Sequence, residues 1–579
     1  MATSRDAHTT AVSPLNDDEP HSGIGDALRG LERLLELAKS RLRDRVTEAG
    51  APLRAAPGKV GVTPTAPPRI SGKLLDRRQL AAHALAYLAT EVEAAKQLRS
   101  WAERCAGPLD QRLADAYTGE LIRTLRGGTD LGPCESVSLA ELELKEEEIV
   151  QTIGQKALVA WSSEVASADE WCAIAKAAYE LGTYGTVDTG VEDDGTLAAI
   201  REEFKKFVER EVLPIAQEIH RNDVLIPLSL IEKMSEMGVF GLTIPVEYGG
   251  QGLSKVAMCV VTEELSRGYI GVGSLGTRSE IAGELILSGG TDVQKNVWLP
   301  RLASGEVFST AVFTEPDHGS DLAHARARAE HQHDGGYTFF GQKTWITHAT
   351  RADLMTALMR TDPGKPGYEG LSMFLAPKQR GTSGEDFPDA GLSGTEIKVL
   401  GYRGMKEFEL SFDGFKVGPE ALLGGVEGQG FKQLMATFES ARIQTAARGV
   451  GVAQAALDEA MKYAHERVQF GAPIATFPRV ARKLGRMIGR VMAGRQLTYF
   501  AARTKDSGRR CDLEAGMAKL LATRAAWESA DACVQIHGGN GYAEEYVASR
   551  LLVDARVLSI FEGANEIQAQ VVARRLLES

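Results

Sequence analysis

A single block of short β-prone runs sits inside a chain otherwise patterned for helices, and that order limits the folds open to it. Between residues 308 and 415, YTFF (337–340), LSMFL (371–375) and the alternating FELSF (408–412) are separated by Gly, Pro and Asp turns. On either side apolar residues recur at helical spacing, beginning with Ile24, Leu28, Leu31, Leu35, Ala38 and Leu42. The spacing predicts further helices over 74–104, 109–126 and 139–181. It predicts a mainly helical stretch over 198–302, broken at Pro214 and at PVEYGGQG (245–252), and long helices over 431–467, 475–505 and 512–537. Segments 51–73, rich in Pro and Gly, and 183–195, rich in Gly, Asp and Thr, read as linkers. The expected architecture is α+β. A disordered tail (1–23) leads into an all-helical extension (24–190), a helical domain (195–307), a β middle domain (308–425) and a C-terminal helical bundle (430–579).

A weak internal echo accompanies this order. VEAAKQL (92–98), followed by Trp101, Ala102 and Arg104, matches VMAGRQL (491–497), followed by Phe500, Ala501 and Arg503, at one constant offset. If the echo is a duplication, the extension is a degenerate bundle able to pack where another subunit's bundle would.

Composition excludes several classes of function. A length of 579 residues points to three or four domains. The net charge of −12, from 66 basic and 78 acidic side chains, argues against nucleic-acid binding, which depends on neutralising phosphates. An anionic small ligand would need local basic residues against that global field. No apolar run approaches the roughly 18 residues of a membrane span, and residues 1–22 lack the apolar stretch of a secretory signal. Six cysteines are scattered without metal-type pairing, so reduced thiols in a cytoplasmic protein are expected.

Three segments carry chemistry. IFEGANEIQ (560–568) sets one carboxylate, Glu562, beside a glycine in apolar surroundings, where it must be paired, protonated or used. Desolvation is expected to raise its pKa toward neutrality, which suits a general base; a helix-starting Glu is the plain alternative. FTEPDHGSD (313–321) supplies hydroxyls and small residues that let backbone N–H groups approach an anionic or heteroaromatic ligand. GQKTWITH (341–348) places an aromatic face next to a hydroxyl. The glycines at 428, 430, 449 and 451 lack the strand–helix context of a dinucleotide fingerprint. His318, His324, His331 and His333 lack metal-ligand spacing, and no metal is expected.

In order and spacing these segments resemble the acyl-CoA dehydrogenase family. Its hallmarks stand here as TEPDHGSD (314–321), GQKTWIT (341–347), ERVQFG (466–471), QIHGGNG (535–541) and FEG (561–563), covering roughly residues 195–579. The resemblance implies a helical domain, a β-barrel-like middle domain and a C-terminal four-helix bundle, with FAD as cofactor. It implies that Phe313, Thr314 and Thr347 contact the isoalloxazine, that Trp345 lies against it, and that Ser320 lies by the diphosphate or CoA. Arg467, Phe470, Gln535 and Gly539 are implied to reach the FAD of a neighbouring subunit, so a homodimer is the least functional unit. Ala564 departs from the family's usual Thr, which puts one hydrogen bond near the adenine in doubt. The implied reaction is α,β-dehydrogenation of an acyl-CoA, with Glu562 as base, the β-hydrogen leaving to the flavin, and electrons passing to electron transfer flavoprotein. A minority of the family carries its base on a helix, but the matching position here is Ala441, and Glu439 would face another direction.

The extension, with WITHA (345–349), LGYRGMK (400–406) and FESARIQTAAR (438–448), looks like the branch of the family that converts (2S)-methylsuccinyl-CoA to mesaconyl-CoA in the ethylmalonyl-CoA pathway. A second carboxylate and an α-branch would need a cation and a tight wall. Arg278 is the first candidate for that carboxylate, against an ion pair with Glu280; His348 and Arg442 follow, with Ser320 toward CoA. The arginine of glutaryl-CoA dehydrogenases aligns near Ile270, which speaks against glutaryl-CoA. A short- or branched-chain acyl-CoA dehydrogenase of different substrate, an acyl-CoA oxidase or flavin monooxygenase, and a non-enzymatic nucleic-acid-associated flavoprotein are the rival readings.

Overall fold

Apolar periodicity at the N-terminus becomes helix α1 (Ile24–Val46), which buries Leu31, Leu34, Ala38 and Leu42 against α2 (Gln79–Cys105) and α3 (Pro108–Leu125). The computed structural model describes residues 23–48, 69–132, 135–193 and 195–579. The expected disordered tail, apart from Gly23, and most of the linker over 51–73 lie outside the described residues.

The helix expected over 139–181 is divided. A 3₁₀ turn (Leu139–Leu142) precedes helices Glu146–Thr152, Lys156–Val165 and α4 (Ala168–Leu181). Gly154 ends the first of these helices, where a Cβ would lie 2.7 Å from the Cα of Val150. Ser167 starts the last, its hydroxyl accepting from Glu170 N–H as an N-cap. Nor is the extension wholly helical, because Thr47–Glu48 pairs with Arg69–Ile70 and Thr129–Gly132 with Glu135–Val137. Helical patterning cannot register such short pairings. Pro214 does not end the helix: a π-helical turn (Val208–Val212) joins helix Thr196–Phe207 to helix Leu213–Asn222, so the α-helical ladder is interrupted just ahead of the residue that lacks an N–H while the chain stays helical. Next come α5 (Lys255–Gly268) and α6 (Ile270–Gly289).

The β block forms one mixed sheet of β1 (Ser309–Val312), β2 (Arg328–His331), β3 (Tyr337–Thr347), β4 (Leu354–Arg360), β5 (Leu371–Pro377), β6 (Leu392–Ile397) and β7 (Glu407–Val417). The order is β6-β7-β3-β2-β4-β1, with β5 also paired to β4; β1 runs parallel to β4. The β3–β7 register sets Glu407 opposite Thr347. Helices α7 (Gly430–Glu466), α8 (Pro478–Asp506) and α9 (Asp512–His537) then pack on one another, and α10 (Val547–Leu558) and α11 (Asn565–Glu578) pack on α9.

The echo has a spatial counterpart. Helix α2 lies along α8, and Glu91 and Arg490, which hold equivalent places in the two copies, pair at 2.9 Å. An isologous interface brings equivalent residues together in this way near its two-fold axis.

Glu263 of α5 joins the central helices. Its carboxylate accepts from Arg495 (2.9 Å), Arg201 (3.2 Å) and the Tyr499 hydroxyl (2.9 Å). Burial pushes this carboxyl up, but Arg495 and Arg201 outweigh it and hold the group down to about 2. A depressed carboxylate contributes stability above its unfolded pKa and loses it as pH falls toward the folded one. Glu263→Gln, which leaves buried Arg495 with no carboxylate partner among the described residues while Arg201 keeps Glu264 (2.7 Å), is expected to cost ~3–5 kcal/mol in urea unfolding at neutral pH. Between about pH 4.5 and 2 the variant should lose less stability than the parent, and equal pH dependence of the two melting curves would contradict the assignment.

Candidate active site

The loop between α10 and α11 turns on two consecutive left-handed residues, Glu562 (φ 52°) and Gly563 (φ 91°). A non-glycine residue in this region is unfavourable unless its surroundings hold it there. Here two arginines do so. Glu562 Oε1 accepts from Arg278 Nη2 at 3.1 Å, and Oε2 accepts from Arg448 Nη2 at 2.5 Å and from the Thr445 hydroxyl. Thr445 and Arg448 stand three apart on α7 and so share a face, and Arg448 also donates to the Thr445 hydroxyl at 2.8 Å. The Tyr402 hydroxyl lies 3.4 Å from both arginines, and Phe561 packs under Arg448 and against the Tyr402 ring.

This geometry corrects the pKa expected for Glu562. Burial does push Glu562 up, but Arg448, Arg278 and the Thr445 hydroxyl together leave it below the ordinary carboxylate value. It is an ionised, latched carboxylate, not one poised near neutrality. Arg278 also does not pair with Glu280. Residues two apart on a helix point to opposite sides, and Glu280 instead binds Lys255 and the Thr243 hydroxyl.

Of the other candidates for a substrate carboxylate, His348 is buried beside Arg278, with neither ring nitrogen hydrogen-bonded among the described residues. Burial and the nearby Arg351, Arg278, Arg380 and Lys378 push it down to about 3, so it is neutral and offers no cation. Arg442 lies over the Phe438 ring, with Asp512 and Glu439 as its charged neighbours, and stands about a third of a turn of α7 from Arg448. Arg448, not Arg442, is the α7 arginine in contact with Glu562. It closes FESARIQTAAR (438–448), and its i, i+3 relation to Thr445 is the signal the sequence offers for it.

Next to this cluster, the Thr347 hydroxyl donates to Glu407 Oε2 at 2.9 Å. Burial pushes Glu407 up to about 8, with Thr347 and Arg278 opposing it, so the carboxyl is neutral at neutral pH. Phe313 and Thr314 are held by a pair that sequence spacing does not reveal: Lys343 Nζ donates to the Phe313 carbonyl (3.0 Å) and to Glu315 (2.9 Å), with both side chains buried. Trp345 (φ 59°) projects with 56% of its surface exposed, and Ser320 is exposed. Arg467 and Phe470 are exposed just beyond the end of α7, and Gln535 and Gly539 are exposed in the last turn of α9 and the 3₁₀ turn (Gly538–Tyr542) after it. Tyr463 stacks on His537 and accepts from Asn540 (3.0 Å), which brings the ends of α7 and α9 together.

These surroundings fit a flavin dinucleotide. A Cβ added at Gly319, Gly471, Gly538 or Gly539 would meet nothing within 4 Å, so the backbone there stands open to a ligand. Trp345 offers an uncovered aromatic face, and Phe470 (97% exposed) and Tyr542 (90%) are left without cover by their own chain.

Models of the acyl-CoA dehydrogenase N-terminal, middle and C-terminal domains match residues 195–306, 310–415 and 428–577. The chain is 52% identical to (2S)-methylsuccinyl-CoA dehydrogenase of Cereibacter sphaeroides over 558 residues, 96% of this chain and 97% of that one. It is 35% identical to the mitochondrial short-chain specific acyl-CoA dehydrogenase of Rattus norvegicus, over 68% of this chain and 93% of that one. Its fold matches butyryl-CoA dehydrogenase from Megasphaera elsdenii with a TM-score of 0.63 at 31% identity, covering 68% of this chain and all of that one. The chain therefore belongs to the acyl-CoA dehydrogenase family.

Proposed function

We propose that this protein is an FAD-dependent dehydrogenase of a short, branched, dicarboxylic acyl-CoA, most specifically (2S)-methylsuccinyl-CoA, yielding mesaconyl-CoA. The observation that carries the reading is the pair of buried arginines in direct contact with the base. In methylsuccinyl-CoA the distal carboxylate sits on the β-carbon, next to the carbon that loses its proton. Arginines touching the base are therefore within reach of that carboxylate. A monocarboxylic acyl group has nothing to pair with them. The similarity to the Cereibacter enzyme over both the extension and the catalytic part supports the same substrate.

The substrate's carboxylate replaces Glu562 as the partner of Arg278 and Arg448. Glu562 then loses the two cations that lower its pKa and becomes a stronger base, so binding of the diacid itself arms proton removal. Glu562 takes the α-proton. Its own N–H makes no hydrogen bond among the described residues and is placed to donate to the thioester carbonyl as negative charge develops there. FAD, when bound, accepts the β-hydrogen as hydride. Phe313, Thr314, Trp345 and Thr347 hold its ring system, with Ser320 toward the diphosphate or CoA. Arg467, Phe470, Gln535 and Gly539 serve the FAD of the partner subunit in a homodimer. The five described cysteines are unpaired and no described helix is long and apolar enough to cross a membrane, which suits a cytoplasmic enzyme passing electrons to electron transfer flavoprotein. We take 24–190, 195–307, 308–425 and 430–579 as its structural units. The echo between α2 and α8 supports an extension that covers the bundle face a second dimer would use.

Glu562→Gln should keep FAD and lose turnover by ~10²–10⁴. Near-normal bleaching of the flavin by methylsuccinyl-CoA in that variant would falsify the assignment of the base. Arg448→Met should lower kcat/KM for methylsuccinyl-CoA by roughly 10²-fold, the scale of a truncated buried charge pair, and affect butyryl-CoA less. Because Glu562 loses a cation in that variant, the acidic limb of its kcat/KM profile should move to higher pH; an unmoved limb would contradict the latch. Sedimentation should give the mass of two chains, and a stable tetramer would contradict the proposed role of the extension.

A further inference from the structure

Lys519 lies in the middle of α9, completely buried, on the side facing the base loop. Its ammonium donates to one group among the described residues, the carbonyl of Gly563, immediately after the base. One turn along the same helix, the Thr523 hydroxyl lies 3.4 Å from Asn565 Nδ2, at the first residue of α11. Helix α9 thus holds the loop at two points, on either side of its exit into α11.

A lysine in this position is a costly choice for packing alone, because an ammonium removed from water must be compensated. Methionine or leucine would fill the volume. What the ammonium adds is a strong, charge-assisted hydrogen bond to a carbonyl of a strained segment. Glu562 and Gly563 are both left-handed, and the Glu562 backbone has no hydrogen bond of its own among the described residues. The side-chain contacts of Glu562 to Arg278, Arg448 and Thr445 hold it only while the base is latched. When substrate takes those arginines, the loop needs a hold that does not depend on the carboxylate, and the Lys519–Gly563 bond supplies it.

Resting on the reading of Glu562 as base, we propose that Lys519 is a positioning residue that fixes the base loop through the Gly563 carbonyl, so that Glu562 can exchange its arginines for the substrate proton without the backbone moving. The charged groups around Lys519 come from three directions: Glu562 on the loop, Arg442 and Arg448 on α7, and Glu566 on α11. Burial, opposed by Glu562 and assisted by the two arginines, brings Lys519 down to about 7. Below that value Lys519 is protonated, so it is a cation throughout the acidic range in which Glu562 titrates, and its removal is expected to raise the pKa of Glu562.

The test uses the full-length, FAD-loaded enzyme with Lys519→Met, which keeps the length of the side chain and removes the donor, and Lys519→Gln, which keeps an uncharged donor. Flavin reduction by methylsuccinyl-CoA and by its α-deuterated form gives the rate and isotope effect of proton abstraction, while mesaconyl-CoA and FAD dissociation constants report affinity. Lys519→Met should slow reduction by about 10²-fold, as expected for a misplaced base, and enlarge the isotope effect. Both dissociation constants should stay within about threefold, and the acidic limb should move to higher pH. Lys519→Gln should show the same changes at roughly a tenth of the size, and it decides the matter if the methionine variant does not fold. A folded variant with native reduction rate, isotope effect and acidic limb overturns the proposal. Glu562→Gln run alongside separates the two readings. If it too reduces normally, the base assignment fails; if it is inactive while the Lys519 variants are native, only the role of Lys519 fails.

Discussion

The contact of Glu562 with Arg278 and Arg448 is the constraint on which the catalytic part of the molecule depends. It joins three segments far apart in the chain: α6, α7 and the loop before α11. A buried carboxylate with no cation would be protonated, and two buried guanidinium groups with no carboxylate would be stranded. Each group is tolerable only because the others are present. The left-handed backbone of Glu562 is held in the same way, by side-chain bonds and by the carbonyl that follows it. On the proposed mechanism, removal of the substrate proton requires a substrate that can take over the charge balance, as a carboxylate on the β-carbon would.

Around that centre, the fold separates two tasks. The sheet and its Lys343–Glu315 pair fix Phe313, Thr314, Trp345 and Thr347, the residues proposed to hold the flavin ring. The ends of α7 and α9 carry Arg467, Phe470, Gln535 and Gly539 outward, where their own chain leaves them uncovered. The extension packs on the same bundle, with Glu91 against Arg490 and Tyr179 stacked on His465 in the last turn of α7. It makes one face of the bundle internal, while Arg467, Phe470, Gln535 and Gly539 stay exposed.

Much of this was legible in the sequence. Helical and β periodicity located the elements, because burial of one face leaves its mark at every third or fourth residue, or every second. Glu562 and Arg278 could be named from their motifs. The helix ends within 139–181 were less legible, since a single glycine and a serine cap decide them. Least legible were pairings across long stretches of chain. Desolvation of Glu562 could be foreseen from its apolar neighbours, but not the cation that α7 brings from 114 residues away, and this reversed the expected direction of its pKa. Arg448, Lys343 and Lys519 share that character. Each is an ordinary basic residue on a helix or strand until the fold shows which carbonyl or carboxylate it meets.

The central claim is that the arginines at the base select a diacid. Anaerobic titration of the purified flavoprotein with methylsuccinyl-, isobutyryl-, butyryl- and glutaryl-CoA, followed by the loss of flavin absorbance, tests it most directly. The account requires strong reduction by methylsuccinyl-CoA and far weaker reduction by the two monocarboxylic thioesters and by the longer diacid. Strong reduction by butyryl-CoA with none by methylsuccinyl-CoA would contradict it.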